Sequence, residues 1–517
     1  MNQTGGVSLV QTNRSTEENF LLYIREMTHL QEVLNLLFWD TRTGAPKNGL
    51  ELRAEAVGTI SAKKFAMSIS TEMKAFIDEL TQCNNFQELS PITRKALEHA
   101  KKEYELHTKI PMEEYKEYVI VRENASKAWE VAKKESDYSI FQPHLEKLVT
   151  YNKRFITYWG YQGNPYNALL DLQNPGMTVD ILDRVFATLK KKLISLLNRV
   201  KEAKGKPTTT FLFERFSIAK QRDLNRYLLK ELGYDFDRGR LDETVHPFAM
   251  ELNRNDVRIT TRYDEFDFKS GLFGTIHEFG HALYELNISD ELIGTPLCNG
   301  TSAGIHESQS LFWEKMIGLN KNFWKRFYPA LKQYNPDQFN GVEIDEFYRA
   351  INSVQPSFIR VEADELTYPL HVILRYEIEK GLFNNEIELS DLPDLWNQKM
   401  EEYLGITPDN HEKGVLQDMH WSAGMFGLFP SYALGYLYAA QFRSVMLKDL
   451  IEFDHFVENA NFIPIREWLA QTIHVHGKMK EPNDLLLEVT GEELNPDHLI
   501  AYLEQKYGEI YNLESES

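Results

Sequence analysis

Cysteine is almost missing from this chain: Cys83 and Cys298 are the only two among 517 residues, and they lie far apart. Two such residues make neither a disulfide framework nor a cysteine-rich metal centre, and their scarcity fits a reducing compartment. Long apolar runs are missing too. No uninterrupted stretch approaches the roughly 18–20 residues that span a bilayer. The opening MNQTGGVSLVQTNRSTEENF has no basic start followed by an apolar segment of signal-peptide length. The chain therefore reads as cytoplasmic. Positive charge is outnumbered, with 57 Lys and Arg against 77 Asp and Glu, a formal net charge of −20. Nucleic acid and anionic membrane would both be repelled by such a surface, so neither is expected as a partner. Repeats, low-complexity tracts and flexible linkers are absent, which argues against a string of independent domains despite the length.

What is present is an ordinary globular composition, 42% apolar and 12% aromatic. Helical periodicity dominates it. In LLYIREMTHLQEVLNLLFW, Leu22, Ile24, Met27, Leu30, Val33, Leu34, Leu37 and Phe38 recur at three- and four-residue spacing, which predicts one broad apolar face. The same patterning predicts helices over 50–82, 91–107, 112–157, 179–203 and 217–232. Pro111, Pro143, Pro165 and Asn174-Pro175-Gly176 punctuate them. Between 244 and 268 the period changes. Val257, Ile259 and Thr261 alternate with Arg258, Thr260 and Arg262, which predicts a half-buried strand after a turn at Asn255-Asp256. From residue 300 the pattern is helical almost to the end. Residues 1–15 read as a flexible polar tail, and 16–517 as a single, mostly helical domain in two lobes.

The segment GLFGTIHEFGHALYELN contains H-E-x-x-H. One helical turn separates His277 from His281, so both imidazoles project from one face, where they can hold a zinc ion at about 2.0–2.1 Å. Glu278 lies about 100° round the helix, beside the metal rather than on it. That suits a general base that takes a proton from a metal-bound water. A catalytic zinc needs a third protein ligand. Glu285 is too far along the same helix, about 12 Å beyond His277, so the ligand must come from another element. Turn signals at Asn287, Gly294-Thr295-Pro296 and Asn299-Gly300 precede a new helical pattern from Thr301. Glu307, in GIHESQS, sits in its first turns and is the candidate third ligand.

At this point a family resemblance becomes specific. HPF at 246–248 and Asp256-Val-Arg258-Ile-Thr260 precede HEFGH at 277–281. HESQ at 306–309, IRVEAD at 359–364 and GVLQDMHW at 414–421 follow. The chain resembles the carboxypeptidase Taq family of zinc metallocarboxypeptidases, of the thermostable carboxypeptidase type, and the match runs from Phe38-Trp39-Asp40 to PSYALGY at 430–436. That resemblance implies a mainly α, two-lobed helical gluzincin fold of the neurolysin type, with a small β-sheet beside the metal helix and a deep central groove. It implies a metallocarboxypeptidase catalytic domain that removes single residues of broad kind from peptide C-termini, as a homodimer. His277, His281 and Glu307 correspond to the family's metal ligands and Glu278 to its catalytic glutamate. The cofactor expected is zinc, with cobalt or manganese able to substitute.

A carboxypeptidase must bind a free carboxylate, and arginine does so with two parallel hydrogen bonds. Arg360 is the first choice, because the family motif carries an arginine there; Arg258 is the second. A structural ion pair of Arg360 with Glu362, Asp364 or Glu365 is the competing reading. His420 and Tyr432 are candidates to stabilise the developing oxyanion, by resemblance to related two-lobed zinc peptidases. Gln417, Asp418 and Asp364 are candidates to orient ligands. His474 and His476 lack the companions of a second metal site. An endopeptidase, or a peptide-binding module without catalysis, stays open as an alternative. FAMELN at 248–253 matches an aminopeptidase motif only loosely, and an intact Glu278 disfavours pure binding.

Overall fold

Short polar side chains decide where the longest predicted helices stop. In the computed structural model, which describes residues 15–514, the 50–82 stretch forms two helices, Leu50–Ser68 and Thr71–Leu80, because Ser70 Oγ accepts from Met73 N at 2.9 Å. The 112–157 stretch likewise becomes Met112–Glu135 and Tyr138–Trp159. Ser136 adopts φ 52°, and the Asp137 carboxylate accepts from Ser139 N at 2.9 Å. In both places a side-chain oxygen offers the backbone a partner that the continuing helix would have supplied. Pro143 lies inside the second of these helices, not at a boundary. Helices Pro91–Thr108, Val179–Glu202 and Ile218–Leu232 fall within a residue or two of their expected limits.

The described residues group into two compact units. One extends through Thr108 and takes in Glu291–Cys298. Its first helix, Thr16–Thr43, starts with a reciprocal cap: Ser15 Oγ accepts from Glu18 N, and the Glu18 carboxylate accepts from Ser15 N. The tail expected over 1–15 lies, apart from this capping serine, outside the described residues. The helix buries Phe20, Ile24, Met27 and Trp39. Its predicted apolar face is wider than the buried one, since Leu22, Val33 and Phe38 are 40%, 42% and 42% exposed. Phe20 and Tyr23 close on Phe76 of the Thr71–Leu80 helix, which covers one end of that face.

The other unit comprises Lys109–Asp290 and Asn299 onward, and contains every candidate site residue. Its strands β1 (Leu241–Glu243), β2 (Ala249–Asn253) and β3 (Asp256–Thr261) form one sheet in the order β1-β3-β2. β1 runs parallel to β3, with Leu241 opposite Ile259. β2 runs antiparallel, with Ala249 opposite Ile259 and a bulge between Glu251 and Asn253. Val257 and Ile259 point into the core, as the alternation predicts, but Thr260, expected outward, is buried as well because its hydroxyl bonds the Phe248 backbone of the neighbouring segment. The sheet then fixes the helix that follows it. Thr261 Oγ1 donates to Gly271 O at 3.0 Å and accepts from Thr275 Oγ1 at 2.9 Å, while Asn225 Nδ2 donates to Gly271 O and Thr275 Oγ1. Those bonds lock the first turns of helix Phe268–Leu286 against the sheet. Among the described residues, no helix is long and apolar enough to cross a membrane.

Candidate metal centre

His277 and His281 stand one turn apart on helix Phe268–Leu286. The helix that faces them, Ala303–Leu311, is capped by Ser302, whose Oγ accepts from Ile305 N at 3.1 Å. It carries Glu307. Two glycines permit the close packing that brings these groups together. A Cβ on Gly280 would lie 2.4 Å from Gln309 O, and a Cβ on Gly435 would lie 2.6 Å from Glu307 Cγ. Glu307 Oε2 reaches to 3.9 Å from His277 Nε2 and 3.5 Å from His281 Nε2. One ligand atom from each residue lies within 4.8 Å of the others, and among the described residues this is the one group of His, Cys, Asp and Glu so arranged. Around a tetrahedral ion with bonds of about 2.0–2.1 Å, ligand atoms stand about 3.3 Å apart. The three residues therefore fit a divalent cation after a small inward movement.

The outward ring nitrogens have partners of their own. His277 Nδ1 lies 2.8 Å from Glu314 Oε2. Glu314 follows Glu307 by two turns, in the π-helical segment Phe312–Gly318 that continues the same helix. Burial pushes the Glu314 carboxyl up, but Lys315 and His277 outweigh it and hold it down to about 2. Burial lowers His277, yet Glu307 and Glu314 raise it to about 9. A field that holds a proton so firmly also favours a bound cation. His281, by contrast, is pushed by burial to about 4 and stays neutral. Its Nδ1 approaches His306 Nδ1 at 2.5 Å. Glu278 is buried beside His277, and burial raises its carboxyl to about 7 against the pull of His277. That range is where a general base operates efficiently.

Arg360 is buried and held by a partner the sequence did not suggest. Its Nε and Nη2 donate to Asp418 Oδ1 at 3.1 and 2.9 Å, and Nη1 donates to Tyr368 Oη at 3.2 Å. The guanidinium sits 4.8 Å from the Tyr432 ring centre. Asp418 Oδ2 accepts from Arg375 Nε at 2.7 Å, so one carboxylate bridges two buried arginines. None of the acids near Arg360 in sequence takes this role. Asp364 accepts from Leu366 N and Thr367 N, and Glu365 pairs with Lys506. Gln417 Oε1 accepts from Arg360 N. Gln417 and Asp418 thus orient Arg360, not the metal-ligand set. His420 Nε2 lies 3.0 Å from Tyr432 Oη. Burial lowers His420 to about 4 and raises Tyr432 to about 12, so the ring is neutral and the phenol protonated near pH 7.

Arg258 points its fork at Asp256, with bonds of 2.8 and 2.6 Å within β3. His474 bonds Gln309 and packs on Tyr284, and His476 meets Lys480; the two do not share a ligand. Sequence reasoning missed Glu314, Tyr368, Arg375 and Glu379. Glu379 is fully buried and accepts from Tyr166 Oη at 2.5 Å, Trp421 Nε1 at 2.7 Å and Gly427 N at 2.8 Å, which ties down the loop that carries His420. Glu314 could have been found from its spacing: seven residues after Glu307 returns a side chain to the same helix face.

A family model described as "Carboxypeptidase Taq (M32) metallopeptidase" matches residues 19–507. The chain belongs to this family. It is a metal-dependent peptidase, a hydrolase of peptide bonds, and its fold is the mainly helical one of the M32 carboxypeptidases. It is 56% identical over 497 residues to "Carboxypeptidase 1" of Bacillus subtilis, covering 96% of this chain and 99% of that one. "Thermostable carboxypeptidase 1" of Pyrococcus furiosus is 37% identical over 482 residues, 93% of this chain and 95% of its own. The crystal structure of the M32 carboxypeptidase from Deinococcus radiodurans superposes with a TM-score of 0.93 at 33% identity, covering 97% of this chain and 100% of that one.

The glycine contacts generate a direct test. Gly435→Ala inserts a methyl against the Glu307 side chain, so metal affinity should fall by about 10-fold or more, the order seen when support of a ligand is disturbed. Stability should drop by about 1–3 kcal/mol, as overpacking does. Competition with a chelator and thermal melts of both proteins measure this. Unchanged affinity would show that Glu307 does not depend on that close approach.

Proposed function

We propose that this chain is a zinc-dependent carboxypeptidase that removes single residues, with broad specificity, from peptides bearing a free C-terminal carboxylate. The observation that carries the reading is the convergence of His277 Nε2, His281 Nε2 and Glu307 Oε2, with the buried Glu278 beside them. His277, His281 and Glu307 hold the ion. A bound divalent cation acidifies water and polarises a carbonyl. Two histidines and a carboxylate are a ligand set that catalytic zinc uses, and the same set accepts cobalt or manganese.

Glu278 takes the proton from the attacking water on its carboxylate and passes it to the departing amine. His420 and Tyr432 donate hydrogen bonds to the oxygen that gains charge as the carbonyl is attacked. With the His420 hydrogen on Nε2 the ring can share it between Tyr432 Oη and that oxygen, and the phenol keeps its own hydrogen to donate. Arg360 pairs with the substrate's terminal carboxylate through the N–H groups that its fork retains beside Asp418. Arg375 shares Asp418, so the cation keeps its orientation without full neutralisation. Arg258, engaged by Asp256, is the secondary choice for this contact.

We also place the enzyme in the cytoplasm, since Cys83 and Cys298 form no disulfide. We assign it a homodimeric state. Leu22, Val33 and Leu36 share one side of the first helix and leave exposed apolar side chains there that a partner would cover.

Glu278→Gln keeps shape and removes basicity. Turnover should fall roughly 10²–10⁴-fold while metal content persists; loss of the metal would assign Glu278 a different role.

Paired peptides that differ only in a free or amidated C-terminus test the substrate class. The wild type should barely cleave the amide. Arg360→Ala should lower kcat/KM on the free acid about 10- to 150-fold, the equivalent of about 1.5–3 kcal/mol for charge-assisted bonds. Arg360→Lys should restore only part of it, because a point charge lacks the fork. Equal cleavage of both peptides by wild type would replace this reading with an endopeptidase.

A further inference from the structure

Glu285 is out of reach of the metal position, yet it is buried and committed. Its Oε1 accepts from Gly300 N at 3.0 Å and lies 2.8 Å from His306 Nε2. His306 Nδ1 in turn lies 2.5 Å from His281 Nδ1. The three side chains thus form one line that ends on the imidazole whose Nε2 faces Glu307.

Resting on the reading of His281 as a metal ligand, we propose that His306 and Glu285 are positioning residues that fix the tautomer and ring orientation of His281. A metal-ligating Nε2 carries no proton, so the neutral ring must carry its hydrogen on Nδ1. His281 Nδ1 then donates, and His306 Nδ1 must accept. The hydrogen of His306 is therefore on Nε2, where it points at the Glu285 carboxylate. One assignment satisfies every contact. The opposite assignment turns a lone pair of His306 Nε2 toward a carboxylate oxygen and places a hydrogen on His281 Nε2, where the cation belongs. Glu285 excludes that arrangement from two side chains away.

Packing holds the relay in place. The His306 ring lies 4.6 Å from that of His281 and 5.3 Å from that of Tyr284, centre to centre. A Cβ on Gly300 would come within 2.6 Å of His306 Cδ2. The arrangement parallels that of His277, where Glu314 holds Nδ1 directly. Here a histidine has been inserted between ligand and carboxylate. Partners of this kind orient ligating histidines and typically contribute 10- to 100-fold in metal affinity.

Zinc affinity, measured by competition with a chromophoric chelator, separates the possibilities. His306→Leu and Glu285→Leu should each weaken zinc binding about 10- to 100-fold. His306→Asn places an amide oxygen opposite His281 Nδ1 and should return affinity to within a few-fold of wild type. Glu285→Gln retains the single oxygen that both donors use and should do the same. Should the leucine variants fail to fold, the ring nitrogens of the 15N-histidine-labelled wild-type zinc enzyme still decide the matter. The expected NMR signature is Nδ1–H on His281 and Nε2–H on His306, and a hydrogen on His306 Nδ1 would overturn the proposal. Wild-type affinity in His306→Leu, alongside zinc loss in His281→Ala, would overturn the relay alone. Stoichiometric zinc in His281→Ala would instead remove the ligand reading on which it rests.

Discussion

The structure depends on holding one carboxylate, Glu307, against two imidazoles from another helix, with the two helices packed closely enough to bring them together. Buried ionisable groups are costly unless they are paired, and the pairing must be geometrically close. Here closeness comes from missing side chains. Gly280 lets the backbone of Gln309 approach the HEFGH helix, and Gly435 leaves the volume that Glu307 occupies. The sheet supplies the other constraint, because Thr261 and Thr275 fix the start of that helix. Around this core several of the inner charges have outer partners. His277 is backed by Glu314 and Glu314 by Lys315. Arg360 and Arg375 share Asp418.

The surface excess of acid and the interior arrangement work at different ranges. A net charge of −20 disfavours approach of a peptide carboxylate. Surface charges more than about 8–10 Å away are largely screened at physiological salt, whereas a desolvated guanidinium acts locally with little screening. Two buried arginines around one aspartate leave a local positive balance beside His420 and Tyr432. Glu379 contributes from the other side of that loop by accepting three donors, including one from the residue after His420.

Much of this was legible because helical spacing is a local rule. His277, Glu278 and His281 could be located from the H-E-x-x-H motif and its one-turn spacing, the strand before them from its alternation, and Glu307 as a candidate from the need for a ligand on a separate helix. The helix breaks at Ser70 and Ser136 were not legible, since the apolar pattern continues through them and only the caps reveal them. The buried face of the first helix is narrower than its apolar one, because periodicity records which residues are apolar and not what covers them. The partner of Arg360 was missed because Asp418 is 58 residues away, while the nearer acids had other tasks. Glu285 lies too far along its helix to reach the metal position, which gives no hint of a role. Its contact with His306 exists only once Gly300 has turned the chain back.

His277 Nε2, His281 Nε2 and Glu307 Oε2 converge where a single cation would sit. The most direct measurement is anomalous diffraction at the zinc absorption edge from crystals of the zinc-loaded protein. One strong peak is expected about 2.0–2.2 Å from His277 Nε2, His281 Nε2 and a Glu307 carboxylate oxygen. A peak bonded to either histidine through Nδ1, or one with Glu307 outside bonding distance, would contradict that arrangement.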